Sequence, residues 1–144
     1  FIGFSGHGNA KALYAMVLTG RFDSMLFAMN HYDADKESRQ ETLIPSAKQR
    51  EMGIMLMKTV RPKETIPGLD IKELVRFALS LEGPNGIAVG MESKQVVDSN
   101  LHMLRNLIPM NYDEKLKYAM ILSPYFRHEN LDWMKNGYHD GYWV

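Results

Sequence analysis

The run Gly86-Ile-Ala-Val-Gly-Met-Glu-Ser-Lys-Gln-Val-Val-Asp-Ser-Asn100 decides how the chain is read. It opens as a short apolar segment, turns at Gly90 and reaches Ser93. Beyond Ser93 the apolar period becomes helical, with Val97, Leu101, Leu104 and Ile108 on one face. The spacing predicts a buried strand, a tight turn and a helix capped by Ser93. Free backbone N–H groups at such a helix start can hold an anion such as a phosphate. The same pattern also makes an ordinary βα turn, of which every α/β protein has several.

Working outward, the same strand-then-helix grammar repeats. Phe1 to Ser5 is a short apolar run, followed by Gly6-His7-Gly8-Asn9, in which Asn9 can cap a helix. Leu13, Met16 and Val17 give that helix an apolar face, and Gly20 ends it. Ser24 to Asn30 is so uniformly apolar that it predicts a strand buried on both faces, as in parallel sheets. A polar segment, His31 to Gln40, follows. From Arg39 to Arg50 the pattern is helical, with Leu43, Ile44 and Ala47 inward and Pro45 placed either to be tolerated or to kink the first turn. Gly53 to Val60 is a third apolar strand, and 61–69 a loop.

Asp70 with Glu73 comes close to a capping box, and Ile71, Leu74, Val75 and Ala78 form the buried face of the next helix. Gly83-Pro84-Asn85-Gly86 stops it and turns into the opening stretch. Downstream, Pro109 breaks the chain, and Asn111 with Glu114 starts a helix ending near Ser123-Pro124. The tail from Tyr125 carries its apolar weight in aromatics without a clear period.

Strand and helix thus alternate four times at the spacing of βα units, which implies parallel strands and right-handed crossovers. Two architectures fit: an open doubly wound sheet, or part of a (β/α)₈ barrel. In both, sites lie beyond the C-terminal ends of the strands.

The 144 residues suffice for one modest domain, and 45% apolar with 24% charged residues is an ordinary globular balance. Zero net charge and the lack of a basic stripe give nucleic-acid binding no electrostatic support. No apolar run approaches the roughly 18 residues of a membrane span. The chain has no cysteine, which excludes disulfides and a thiol nucleophile within it but leaves the compartment open, cytoplasmic or exported. It begins Phe-Ile-Gly-Phe, inside a predicted strand and without an initiator Met, and so reads as a fragment or processed product.

Four pieces resemble the C-terminal half of the aldo/keto reductase family. Ile2-Gly3-Phe4-Ser5-Gly6-His7 is similar to the family's fifth strand, and Phe22-Asp23 through Met29-Asn30 to its sixth. Gly53-Ile54-Met55-Leu56-Met57-Lys58 is similar to the seventh, and Val89-Gly90-Met91-Glu92-Ser93 through Asn100-Leu101 to the eighth. The resemblance covers residues 1–108. The segment Leu131 to Tyr138 resembles endings in a bacterial branch of the family.

This resemblance implies the C-terminal half of a (β/α)₈ barrel over 1–108, with a C-terminal helix and aromatic-rich tail over 109–144. It implies a nicotinamide cofactor, NAD or NADP, and a small carbonyl or alcohol substrate. The family's catalytic Asp, Tyr, Lys and His lie on its first four strands, so the chain is expected to hold no catalytic residue and to be inactive alone. Its partner would be the missing N-terminal half-barrel, since a barrel needs roughly 250 residues. Half a barrel would leave two parallel edges uncovered and favour dimerisation or aggregation.

By the same resemblance Ser5 matches a carboxamide-binding Ser. Gly6 stands where the family has Asn, a loss that His7 could offset, and Leu26 replaces a further amide partner. Met57 falls where relatives stack an aromatic ring on the nicotinamide, and Lys58 stands where it could pair with pyrophosphate. Gly90 permits close backbone approach, Ser93 caps the helix, and Asn100 matches an adenine contact. Glu92, where 2′-phosphate binders place a cation, favours NAD.

Two other readings remain. One is a family-derived binding or assembly domain without catalysis. The other is a small α/β protein holding a metal at His7 and His31, with Asp33 or Asp35 nearby. No P-loop or nucleophile-elbow motif occurs.

Overall fold

The computed structural model describes residues 1–7, 10–29, 39–60, 67–122 and 137. Asn9, Asn30, His31, Asp33, Asp35 and the 123–136 and 138–144 segments lie outside them, and with them the proposed Asn9 cap and the tail readings. Four strands form the sheet: β1 (Gly3–Gly6), β2 (Ser24–Ala28), β3 (Gly53–Met57) and β4 (Gly86–Ile87). They alternate with α1 (Ala10–Leu18), α2 (Ile44–Gln49), α3 (Ile71–Leu79) and α4 (Lys94–Arg105), and α5 (Tyr112–Leu122) follows.

All pairings are parallel and the strand order is β1-β2-β3-β4. This order decides between the two architectures. A doubly wound sheet reverses its strand order at a switch point. Here each strand lies beside its predecessor, and right-handed crossovers then put every helix on one face. That is the winding of a (β/α)₈ barrel, of which the chain shows four units.

The register separates the two faces of the sheet. Phe4, Met25 and Ile54 lie side by side, as do Phe27, Leu56 and Ile87. These side chains form the core with Leu13, Val17, Leu43, Ile44, Ala47 and Ala78 from the helices. The opposite face, which lines the interior in a barrel, carries Ser5, Leu26 and Met55 in one row. On that face Leu26 is half-buried and Ala28 buried in β2, whereas Met55 of β3 is 38% exposed. The expected burial of Ser24 to Asn30 on both faces is therefore complete on the helix side and partial on the other.

Other departures have local causes. The helix expected over 39–50 is split. Arg39–Leu43 is π-helical and Ile44–Gln49 α-helical, with Pro45 in the first α turn. Pro45 has no N–H to bond the carbonyl four residues back and its ring crowds that carbonyl, so the turn before it widens. Leu43, Ile44 and Ala47 are buried as the period requires. The third strand stops at Met57, because Lys58 turns the chain with a left-handed φ of +59°. Ile71 and Met16 face outward rather than into the core, whereas Phe77 is fully buried.

Helix α3 packs on both sides. Leu74 and Phe77 meet Met110, Tyr118 and Leu122 in a second apolar cluster. The junction is stitched by Arg76, which donates to the Ile108 carbonyl (2.6 Å) and to Glu114 (2.8 Å). Glu73 turns to Arg76 at 3.3 Å, and Asp70 alone provides the side-chain cap of α3, accepting from Lys72 N–H. The closed capping box is at α5, where Asn111 and Glu114 exchange two 2.9 Å bonds.

Candidate functional site

Strand β4 is shorter than its apolar run suggests. Only Gly86 and Ile87 pair, and both are half-buried. Asn85 extends the pairing at one end. Its backbone N–H donates to the Ile54 carbonyl and its side-chain oxygen accepts from Ile54 N–H, both at 2.7 Å. At the other end Ala88 N–H reaches the Leu56 carbonyl, also at 2.7 Å. Past this point the chain leaves the sheet, turns through Gly90 and enters α4 at Ser93. The Ser93 hydroxyl accepts from Val96 N–H at 3.2 Å, the cap that the sequence predicts.

Between the C-terminal ends of β3 and β4, the start of α3 and one face of α4 (Val96, Ser99, Asn100 and Met103) lies a groove of about 880 Å³. Met57, Lys58, Gly90 and Asn100 line it. Glu92 joins them, as do Thr59, Asp70 and Lys72. The groove is of ligand size, and its charged groups are mixed, two lysines and two carboxylates. Asn100 donates to the Gly90 carbonyl at 3.1 Å, fastening the turn to the helix. A Cβ on Gly90 would lie 3.1 Å from the movable Glu92 carboxylate.

The remaining candidates stand elsewhere. Ser93 is next to the groove as the helix cap and does not line it. Ser5, Gly6 and His7 are at the end of β1, two strands from β3. Ser5 lies on the inner face beside Leu26. Gly6 points the other way. A Cβ there would come within 2.7 Å of Leu13 Cδ2, so the approach of α1 accounts for the glycine. The carbonyl of His7 accepts a long bond, 3.4 Å, from the buried Arg39 guanidinium. Among the described residues no three His, Asp or Glu side chains gather as a metal site, and no helix is long and apolar enough to cross a membrane.

Sequence reasoning did not find Thr59. It is fully buried, and its hydroxyl has no hydrogen-bond partner among the described residues. Nothing in the pattern Met-Lys-Thr-Val marks it.

Four consecutive (β/α)₈ units with a groove at the strand C-termini place the chain in the (β/α)₈ barrel fold class, whose ligand sites form at that end. Among solved structures, the fold is similar to the aldo-keto reductase AKR11C1 from Bacillus halodurans in its holo form. The likeness has a TM-score of 0.58 at 14% identity and covers 81% of this chain. It spans 49% of that protein, about half its length, and at this identity it establishes the fold. No family model matches the chain, and no curated protein does.

Proposed function

We propose that the chain is the cofactor-holding half of a nicotinamide-dependent oxidoreductase of the aldo/keto reductase type. The groove carries this reading. It lies where barrel active sites form, and it gathers Met57 and Asn100, which the family resemblance assigns to cofactor contact, with Lys58 at the mouth of its strand and Gly90, which permits close backbone approach. When bound, the cofactor supplies the hydride exchanged with a carbonyl or alcohol carbon. The chain's own residues hold and orient it. Lys58 pairs with pyrophosphate, Met57 packs against the nicotinamide ring, Ser5 holds the carboxamide, and Gly90 and Asn100 shape the adenosine end beside the Ser93 cap. Glu92 accepts from a ribose hydroxyl and repels a 2′-phosphate. The acid or base is a Tyr of the N-terminal half-barrel, the partner needed for turnover.

Calorimetric titration of the intact protein tests this. NAD is expected to bind more tightly than NADP, and the reverse order would remove the role given to Glu92. If neither binds, the second reading takes over, a non-catalytic binding or assembly domain. Gly6 and Leu26 favour that alternative, since neither offers the nicotinamide a polar side chain.

A further inference from the structure

We infer that Arg39 is a positioning residue for the nicotinamide end of the ligand: its guanidinium holds the chain at the mouth of β1, and with it the Ser5 hydroxyl. The inference rests on the cofactor reading above and adds to it a residue from the next βα unit.

A guanidinium is costly to bury, and a fold keeps one inside only where its donors are used. Arg39 is 8% exposed, at the first position of the π-helical segment Arg39–Leu43. Such segments recur at functional sites. Packing alone would be served by methionine or leucine, which fill similar space without the cost of burying a charge.

The contact it makes gives the charge a task. The pairing of β1 with β2 runs from Gly3 and Ser24 to Gly6 and Phe27. One residue further on, the ladder gives way to a side chain, and the His7 carbonyl accepts from Arg39 Nη2 at 3.4 Å. A residue that follows β2 thus fastens the end of β1. A guanidinium has five donors in a rigid fork, so it can hold this carbonyl and meet other groups as well.

The end held in this way carries Ser5, two residues before His7. Ser5 is exposed and lies beside Leu26 on the inner face, where a ligand can reach its hydroxyl. Neighbouring strands stand about 4.8 Å apart, so β1 lies roughly 10 Å across the sheet from β3, a span that a dinucleotide bridges. With no polar side chain at Gly6 or Leu26, the placement of Ser5 decides how the carboxamide is held. A small displacement of a positioning group is costly.

The test compares Arg39→Met and Arg39→Lys with wild type in the intact protein, using NAD and ADP-ribose, which lacks the nicotinamide, as probes. Arg39→Met is expected to weaken NAD about tenfold and to leave ADP-ribose unchanged. Arg39→Lys keeps a charged donor and is expected to recover part of the loss. Ser5→Ala is expected to weaken NAD by itself and to add little to Arg39→Met, because the two act through one contact. Unchanged NAD binding in Arg39→Met overturns the inference and leaves the proposed function standing. An equal loss of NAD and ADP-ribose in both Arg39 variants does the same, since it marks general support of the fold. Fully additive losses for Ser5→Ala and Arg39→Met overturn it too. If wild type binds neither probe, the proposed function itself fails.

Discussion

Helices α3 and α4 are both amphipathic, both capped by a side chain, and adjacent in the winding of the sheet, yet their apolar faces meet different fates. In α3, Leu74, Val75, Phe77 and Ala78 are all buried, between the sheet on one side and α5 on the other. The longer α4 buries nothing completely. Leu101 is 41% exposed, Leu104 38% and Ile108 74%, although these are the positions that the helical period assigns to a core. The difference is one of place. Helix α3 lies between neighbours, whereas α4 belongs to the last unit, beside an edge of the sheet that has no further strand among the described residues. Periodicity tells which face needs cover. It does not tell whether the cover is present.

The sharpest way to break this contrast is truncation on the two faces of the 144-residue chain. Leu74→Ala should cost about 2–5 kcal/mol, since it opens a cavity in a closed cluster. Leu104→Ala should cost about 0.5 kcal/mol or less, as for a surface site. Urea unfolding reads both. Equal losses would mean that α4 is covered in solution, and in a polypeptide that supplies the N-terminal half-barrel the two values should converge.

A second difference lies in electrostatic anchoring. The Asn111 backbone N–H and then the Arg76 guanidinium hold the Glu114 carboxyl below its ordinary range. A depressed carboxylate contributes stability above its unfolded value, ~4.3, and loses it as the pH falls through the lower folded value. Glu114→Gln should therefore lower the unfolding midpoint at neutral pH. The gap to wild type should close in acid. A gap that persists at pH 2 would show that the charge is not the cause.

The smallest expected effect concerns the caps. Asp70→Ala should cost about 1 kcal/mol, because α3 cannot fray without opening the second cluster. Ser93→Ala should cost less in global stability and show instead as faster amide exchange in the first turn of α4. Equal global losses would show that α4 is as tightly coupled to the core as α3.

Much of the architecture is legible in the residues. The four alternating units, the turn at Gly90, the Ser93 cap and the capping box of Asn111 and Glu114 all rest on local physics that short windows carry. What is not legible depends on distant neighbours. The choice between barrel and doubly wound sheet is settled by strand order, which no window encodes. Ile71 and Phe77 both fit an apolar helix face, and only the position of α5 makes the second a core residue. The groove is partly visible, because Met57, Lys58 and Gly90 stand at a strand end and a turn and Asn100 lies on the helix that follows. Thr59 is not, since its unsatisfied hydroxyl shows only in the fold. Ser5, Gly6 and His7, candidates for the carboxamide end of the same cofactor, stand on β1, two strands from β3.

The sequential pairing of the sheet also has a kinetic meaning. Gly3 pairs with Ser24, Ser24 with Gly53, and Met55 with Gly86, so every closure joins a strand to the one made just before it. Each loop spans only a few tens of residues, and loop-closure entropy grows slowly with length. These four strands can then be added in the order in which they leave the ribosome, none of them waiting for a distant one among the four. The last addition is the weakest, a two-residue strand held in register by the Asn85 side chain. A chain built this way should finish its folding at the wall of its own groove.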